Sequence, residues 1–456
     1  MKPVSIYQVF PRDFGPHGNL NDVTEQLSHI REMGFDYVYL LPIHPIGIEG
    51  RKGTLGSPYA IRNYDAVDPA YGTMEDFMNL IERAHACGLK VMMDIVIHHS
   101  ACDHPWVKEH PEFYHRDETG RVVRSVPDWS DIYDFDYSST GLRRELLAML
   151  KRWAEKGIDG FRCDVASLVP LDFWLEARRE VAAIDPDFLW LAESVDMPLV
   201  RMVRAQGLDA VSDSELCQAF DLLYPYDLRP EWDDAENHGN LLPLQRMLDY
   251  TMTEYPRNLS RIWCLENHDC RRIASAVNKE SEKNWLAFTF LLPGAAFLYA
   301  GEEAYETHLP SLFEAEPVGW KNRSIELEKW IADLNALRKE TLRTVWSVQV
   351  FPNETGMEFA AFGPEVYYGL FAVNGSTSLK TELKDGTYRN LLNREELEVK
   401  NHELPASAAP FYARIGKKIW GIDEKKKTLT GSFYMVPLGR IELPVHPYHG
   451  CVLPLY

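Results

Sequence analysis

The chain contains 456 residues, and its 48 basic and 68 acidic side chains give a formal net charge of −20. That charge argues against nucleic acids and anionic membranes as partners and fits a protein that handles neutral ligands. The sequence has no apolar run of about 20 residues that would span a membrane. No secretion signal precedes the first predicted strand, so we expect a soluble, cytoplasmic protein.

The seven cysteines are odd in number and scattered along the chain. They form no Cys-x-x-Cys pair of the kind that binds metals or exchanges disulfides. Two of them, Cys163 and Cys264, lie within predicted strands. The pattern favours reduced, buried thiols over a framework of disulfides.

Eight apolar segments alternate with helical patterns along the first three quarters of the chain. Alternating strands and helices predict a parallel sheet, and eight such units predict a closed (β/α)8 TIM barrel of the α/β class. The predicted strands cover 5–10, 37–41, 90–97, 160–165, 188–192, 210–212, 261–265 and 295–300. The predicted helices include 20–33, 73–87, 142–156 and 170–183.

The last part of the chain changes pattern. A helix is predicted over 325–342, and short alternating strands with turn signals follow at 366–370 and 386–392, which favours an all-β sandwich. The predicted domains are a barrel over 1–98 and 137–344, an insert at 99–136, a C-terminal β-sandwich at 345–415 and a C-terminal extension, predicted as β, at 416–456. The extension has no predicted function.

Arg162 and Asp164 stand two residues apart at the end of the predicted fourth strand. Successive side chains of a strand point to opposite faces, so this pair shares one face and Cys163 takes the other. A guanidinium beside a carboxylate favours the ionised form that a nucleophile requires. An ordinary structural ion pair is the alternative interpretation of an isolated Arg-x-Asp.

Three more predicted strands end in polar residues. Glu193 follows the fifth strand, the run 266–269 follows the seventh, and the run 94–99 closes the third. In a (β/α)8 barrel, catalytic groups gather at the C-terminal ends of several strands. These positions therefore predict one active site at that end of the barrel.

The same segments resemble conserved regions of the α-amylase family of glycoside hydrolases, family 13. The resemblance is carried by Gly160-Phe161-Arg162-Cys163-Asp164, Ala192-Glu193-Ser194, Glu266-Asn267-His268-Asp269 and the run 94–99, with further matches at 7–14, 71–73 and 299–303. It covers roughly residues 4–415. The segments at 41–47 and 56–61 resemble those of intracellular-type bacterial α-amylases in particular.

The resemblance implies three carboxylate roles. Asp164 would be the nucleophile that forms a covalent glycosyl-enzyme, and Glu193 would be the general acid and then the base that activates water. A retaining glycosidase needs this division, with the two carboxyl groups about 5–5.5 Å apart. Asp269 would be the third carboxylate, which stabilises the transition state and binds sugar hydroxyls.

The resemblance also implies four binding residues. Arg162 would hold Asp164 ionised, and His99 and His268 would donate hydrogen bonds to sugar hydroxyls. Strand parity would place His98, not His99, on the face of Asp94, so His99 rests on the resemblance alone. Tyr59 would be an aromatic platform under the sugar, with a Tyr packed on the barrel rim as the alternative.

The sequence departs from the family pattern at His98, where an Asn that helps to bind calcium is usual. Calcium prefers oxygen ligands, and an imidazole is a poor substitute. We therefore expect no metal and no cofactor. A second departure is Leu168, where many secreted amylases have a His.

Three functions fit these observations. The first is a retaining α-1,4-glucan hydrolase acting on short maltooligosaccharides. The second is a 4-α-glucanotransferase of the same fold, which would pass the glycosyl group to a sugar and not to water. The third is a non-catalytic carbohydrate-binding or transport-accessory protein, which would typically lack catalytic carboxylates. The oligomeric state is not indicated.

Overall fold

The computed structural model describes residues 3–256 and 259–416. In chain order the strands of the barrel and its insert are β1 (Ser5–Val9), β2 (Tyr37–Leu40), β3 (Lys90–Ile95), β4 (His99–Ala101), β5 (Ile132–Asp134), β6 (Gly160–Cys163), β7 (Leu189–Ala192), β8 (Leu222–Leu223), β9 (Ser260–Trp263) and β10 (Ala295–Tyr299). Eight of them are parallel and form a closed barrel in the order β1-β2-β3-β6-β7-β8-β9-β10, and β10 pairs back onto β1. This confirms the predicted fold class.

Helices surround the barrel and cover its outer face, and one short helix, Trp106–Glu109, belongs to the insert. They are α1 (Pro11–Phe14), α2 (Leu20–Glu32), α3 (Met74–Cys87), α4 (Trp106–Glu109), α5 (Thr140–Glu155), α6 (Leu171–Ala182), α7 (Met197–Ala205), α8 (Asp213–Leu216), α9 (Arg229–His238), α10 (Leu241–Glu254), α11 (Lys279–Leu291) and α12 (Ile325–Thr341). No described helix is both long and apolar enough to cross a membrane.

Helix α3 shows how local sequence fixes these elements. Thr73 and Asp76 form a reciprocal capping box at its start, and Gly88 ends it in the left-handed conformation, with φ 83°. Four apolar residues recur at helical spacing and are buried on one side of the helix, as the sequence predicts: Phe77, Leu80, Ile81 and Ala84.

One predicted strand is wrong. Residues 210–212 form no strand, and the sixth barrel strand is the two-residue β8 further along the chain. The Val211 N–H donates to the Ser167 carbonyl, and Ser212 caps α8, so the backbone of this segment is used outside the barrel. The other seven predicted strands are confirmed, with ends that differ by one or two residues.

The region after α12 consists of antiparallel sheets. Its strands are β11 (Ser347–Val350), β12 (Met357–Phe362), β13 (Val366–Phe371), β14 (Ser378–Lys380), β15 (Gly386–Arg389), β16 (Glu396–Val399), β17 (Glu403–Pro405) and β18 (Phe411–Ile415). They form a four-stranded sheet, β11-β12-β13-β18, and two two-stranded sheets, β14-β17 and β15-β16. The four-stranded sheet packs on the barrel helix α11, where Phe288 meets Phe359 and Phe371.

The insert between β3 and β6 is short and contains the antiparallel pair β4 and β5, in which His99 lies opposite Asp134. The six described cysteines are all free. The predicted extension at 416–456 lies outside the described residues, apart from Gly416.

Candidate active site

Acidic residues meet at the C-terminal ends of adjacent barrel strands. Asp94 lies on β3 in register with Arg162 on β6, while Asp164 and Glu193 come directly after β6 and β7. Residues in register on parallel neighbours point to the same face, so Asp94 and Arg162 both point into the barrel end. Asp269 reaches the same region from the loop that follows β9.

Arg162 is the centre of this group. Its Nη1 lies 3.0 Å from Asp94 Oδ1 and 2.8 Å from Asp164 Oδ1, and its Nη2 lies 3.0 Å from Glu193 Oε1. The guanidinium is fully buried. The shared strand face of Arg162 and Asp164 is therefore observed, but one guanidinium serves three carboxylates and not one.

The groups around Asp164, the predicted nucleophile, shift its pKa in opposite directions. Burial and the charge of Glu193 raise the pKa of Asp164 well above its usual range, and Arg162 opposes them. Burial likewise raises the pKa of Asp94 to about 6, again opposed by Arg162. Arg162 thus favours the ionised forms of Asp164 and Asp94, and burial opposes it in both.

Val165 directly follows Asp164 and contacts Glu193. Its N–H donates a hydrogen bond of 2.6 Å to Glu193 Oε2, and its backbone is left-handed, with φ 36°. A β-branched residue seldom adopts that conformation, which costs about 1–3 kcal/mol and persists only where packing enforces it. Val165 is buried in an apolar cluster with Leu168, and Trp129 of the insert packs against this cluster.

Tyr59 and His268 form a stacked pair beside the cluster, with ring centroids 5.6 Å apart. The Tyr59 hydroxyl donates to Asp94 Oδ2 at 3.0 Å and lies 2.5 Å from His268 Nε2. The hydroxyl has one proton, so His268 Nε2 is assigned the hydrogen of the second bond, and Nδ1 accepts from the Gln8 amide at 2.9 Å. Burial lowers the pKa of His268 to about 3, which agrees with a neutral ring.

Asp269 is the most accessible of the predicted carboxylates, with 40% of its side chain exposed. Its Oδ2 lies 3.1 Å from His268 Nε2, and its N–H donates to Asn267 Oδ1 at 2.8 Å. The Asn267 amide in turn donates to the Tyr226 hydroxyl at 2.8 Å. This carboxylate is thus held at the mouth of the site, where an incoming hydroxyl can reach it.

His99 is buried, and both of its ring nitrogens lie close to protein atoms. Its Nε2 is 3.2 Å from the Tyr59 carbonyl oxygen, and its Nδ1 is 3.1 Å from His98 Nδ1. Burial lowers the pKa of His99 to about 3, so the ring is neutral. Both nitrogens therefore have neighbours within the protein, and His99 fixes the loop that carries Tyr59.

The surroundings of His98 do not fit a calcium ion. Nδ1 of His98 faces His99, and Nε2 lies 3.8 Å from Asp134 Oδ2, which also accepts the Ser125 N–H at 2.6 Å. Calcium requires six to eight oxygen ligands. Within the described ranges, no group of three or more His, Cys, Asp and Glu side chains is arranged to hold a metal.

Sequence reasoning misses several members of the site. It places Asp94 at a strand end but not as the partner of Arg162, and it overlooks a further partner of Asp94, the Tyr39 hydroxyl at 2.6 Å. Gln8 and Trp129 are missed as well, although Trp129 lies 5.8 Å from the His99 ring. The alternation of β2 places Tyr39 inside the barrel, and this signal is present in the sequence. Nothing in the sequence marks Trp129.

Buried carboxylates around an arginine at the C-terminal end of a (β/α)8 barrel define an enzyme site of the acid–base type. The family follows from sequence comparison. The family model described as "Alpha amylase, catalytic domain" matches residues 8–121 and 126–346, and "Bacterial Alpha amylase C-terminal domain" matches 363–412. The chain belongs to the α-amylase family.

Two solved structures resemble the chain along most of its length. The alpha-amylase from Lactobacillus plantarum is 37% identical, with a TM-score of 0.85, and the match covers 91% of this chain and 99% of that one. A noncanonic maltogenic alpha-amylase, AmyB from Thermotoga neapolitana, is 30% identical, with a TM-score of 0.77, over 91% and 97% of the two chains.

Curated relatives match a smaller part. Alpha-1,4-glucan:maltose-1-phosphate maltosyltransferase 1 from Streptomyces coelicolor is 35% identical over 223 residues, which is 44% of this chain and 33% of the relative. The maltosyltransferase from Mycolicibacterium smegmatis is 38% identical over 221 residues, 42% and 32% of the two chains. The chain thus spans about a third of the length of the curated relatives it matches.

Proposed function

We propose that the protein cleaves α-1,4-linked glucose chains with retention of configuration, through a covalent glycosyl-enzyme on Asp164. The observation that carries this proposal is the shared guanidinium, since Arg162 contacts Asp164 at 2.8 Å and Glu193 at 3.0 Å. Retaining cleavage needs two carboxyl groups within reach of one glycosidic bond, one as nucleophile and one as acid–base.

The reaction begins with a proton on Glu193 and a charge on Asp164. In the free chain, Glu193 accepts a hydrogen bond from the Val165 N–H and faces Arg162, while the pKa of Asp164 is raised. Arg162 opposes that rise, so the guanidinium favours the charge that Asp164 needs for its attack. Asp164 then attacks the anomeric carbon, Glu193 protonates the leaving oxygen, and Glu193 next deprotonates the acceptor.

The acceptor distinguishes the two enzymatic hypotheses. The curated relatives are named for transfer of a maltosyl group, and they support transfer to a sugar better than the hydrolysis that the sequence analysis put first. We therefore place glycosyl transfer first for this chain. Hydrolysis is the second candidate, and the names of the two solved structures favour it.

The third hypothesis, a non-catalytic binding protein, gains no support from the site. Such a protein has no need of ionisable side chains around one arginine. The free-energy cost of burying these side chains would then serve no function. An α-glucan oligosaccharide is the proposed partner, and a cytoplasmic location remains a prediction that cell fractionation would test.

Incubation with maltotriose through maltoheptaose, followed by chromatography, tests the proposal. Products longer than the substrate indicate transfer, whereas only shorter products indicate hydrolysis. Proton NMR of the first products should show the α-anomer, since double displacement retains configuration. Absence of any new product, or a β-anomer, would contradict the proposed function.

A further inference from the structure

Asp269, the predicted third carboxylate, lies in a loop that is tied to a tyrosine from another loop. Tyr226 follows β8, whereas Asp269 follows β9. The side chain of Asn267 joins the two loops, since its Nδ2 lies 2.8 Å from the Tyr226 hydroxyl and its Oδ1 accepts the Asp269 N–H at 2.8 Å. The Tyr226 hydroxyl is therefore held beside the residue that carries the carboxylate.

The bond to Asn267 does not use the hydroxyl hydrogen of Tyr226. Oδ1 of Asn267 accepts two backbone hydrogen bonds, from Asp269 at 2.8 Å and from Cys270 at 2.9 Å. An amide NH₂ group cannot accept such bonds, so the orientation of the Asn267 amide is determined by its neighbours. Nδ2 consequently donates to the Tyr226 oxygen. The single hydrogen of the hydroxyl is left for a second partner.

The Asp269 carboxylate is the acceptor beside that hydrogen. Burial raises the pKa of Asp269, whereas the charge of Arg162 and a hydrogen bond from Tyr226 lower it. His268 Nε2 also lies 3.1 Å from Oδ2 of this carboxylate, but His268 belongs to the same loop as Asp269. Tyr226 is thus a donor that reaches Asp269 from a different loop, and a hydrogen bond to a carboxylate favours its ionised form.

Packing fixes the ring of Tyr226 but does not account for its hydroxyl. The ring stacks on Tyr224, with centroids 5.1 Å apart, and packs against an apolar cluster of the barrel. The Leu228 N–H donates to the Pro225 carbonyl at 2.9 Å and closes a turn around Tyr226. The hydroxyl of Tyr224, in contrast, is buried without a described partner. The two stacked tyrosines therefore share a packing role, and Tyr226 in addition places its hydroxyl on the loop of Asp269.

We propose that Tyr226 is a positioning residue for the reaction, which donates its hydroxyl hydrogen to the Asp269 carboxylate and keeps that carboxylate ionised and oriented. This role rests on the proposed function, since Asp269 would stabilise the positive charge that develops on the sugar ring. A carboxylate oriented in advance stabilises that charge in the transition state more than it stabilises the neutral substrate. Loss of the Tyr226 hydroxyl should therefore lower kcat more than it changes KM.

Kinetics of the full chain test this role. Tyr226→Phe removes the hydroxyl and keeps the ring, so we expect kcat on maltotriose to fall about tenfold and KM to change less than about twofold. Tyr224→Phe is the matched control, because it makes the same change in the stacked neighbour, and it should keep the native kcat. An unchanged kcat in Tyr226→Phe, or an equal fall in Tyr224→Phe, would overturn the proposal.

A double-mutant cycle on melting temperature tests the contact without turnover. Tyr226→Phe should lower the melting temperature less in an Asp269→Ala background than in native protein, because the acceptor of its hydroxyl is already gone. In an Asp172→Asn background the effect should equal that in native protein, since Asp172 lies on the surface. Equal effects in the native and Asp269→Ala backgrounds would contradict the contact. If no α-glucan is converted, the proposed function fails, and this cycle still decides whether Tyr226 holds Asp269.

Discussion

The backbone N–H of Val165 donates a hydrogen bond of 2.6 Å to Oε2 of Glu193. The residue that follows the proposed nucleophile thus holds the proposed acid–base. Arg162 Nη2 lies 3.0 Å from the other oxygen of the same carboxyl group. One oxygen of this carboxyl group therefore accepts a backbone hydrogen bond, and the other faces a buried guanidinium.

Asp164→Asn should abolish turnover of maltooligosaccharides and leave the protein folded. The amide keeps the shape of the side chain but is no nucleophile, so the rate should fall by several orders of magnitude. Product chromatography and circular dichroism measure the two effects. Asp172→Asn is the control, since Asp172 pairs with Arg143 on the surface and is 71% exposed. Near-native turnover in folded Asp164→Asn protein would end the assignment.

Asp94→Asn should destabilise the protein, because it removes a carboxylate from a fully buried ion pair with Arg162. The guanidinium keeps Asp164 and Glu193 as partners, so no buried charge is left uncompensated and we expect a loss of about 2 kcal/mol, the range of a lost hydrogen bond to a charged group. Urea unfolding measures the free energy. Asp65→Asn is the matched control: its bond to Arg152 is exposed and should contribute at most about 1 kcal/mol. Equal losses in the two variants would contradict a special role for Asp94.

The sequence predicts those parts of the site that depend on a single strand. Arg162 and Asp164 share a face because strand side chains alternate, and this is what the structure shows. The sharing of Arg162 with Asp94 depends on the register between β3 and β6, a relation between distant segments that no local pattern contains. The sixth strand is missed for a related reason, since two residues, Leu222 and Leu223, are too few to show any period.

Glu282→Gln should stabilise the protein more at pH 9 than at pH 5. Both oxygens of Glu282 are buried without a described partner, and burial and the charge of Glu266 raise its pKa from 4.5 to about 8, with Lys279 opposing. Between pH 4.5 and about 8 the folded state therefore binds one proton more than the unfolded state, and the free energy of unfolding falls as the pH rises through this range. A glutamine side chain does not ionise, so the variant does not lose stability in this way.

Melting temperatures of the Glu282→Gln and native proteins between pH 5 and 9 measure this difference. Glu280→Gln is the control on the same helix, since Glu280 is exposed. If the difference in melting temperature between the Glu282→Gln and native proteins stays constant across this pH range, the buried carboxyl group of Glu282 does not have a raised pKa.

EDTA should leave activity and melting temperature unchanged. His98 offers imidazole nitrogens where calcium needs oxygen ligands, and one of them lies 3.1 Å from His99 Nδ1. An ion that binds only the folded state stabilises it by mass action, and chelation would remove that stabilisation. A drop in melting temperature with EDTA that calcium restores would refute this expectation.

Glu193→Gln should separate the acid–base from the nucleophile. Maltooligosaccharides need a proton on the leaving oxygen, so the variant should lose several orders of magnitude in rate on them. α-Maltosyl fluoride has a good leaving group and should still form the covalent intermediate on Asp164. With no base to activate the acceptor, that intermediate should accumulate, and mass spectrometry of the intact protein should detect it.

Azide provides the decisive measurement for Glu193. An anionic nucleophile needs no base, so azide should speed the breakdown of the accumulated intermediate and give a maltosyl azide of retained α-configuration. Asp164→Asn is the matched control and should form neither the intermediate nor the azide. Because the Val165 N–H can still donate to the amide oxygen of the introduced glutamine, the local backbone should keep its conformation, and the loss can be assigned to the missing proton. Equal losses on the natural and activated substrates, with no response to azide, would show that Glu193 is not the acid–base.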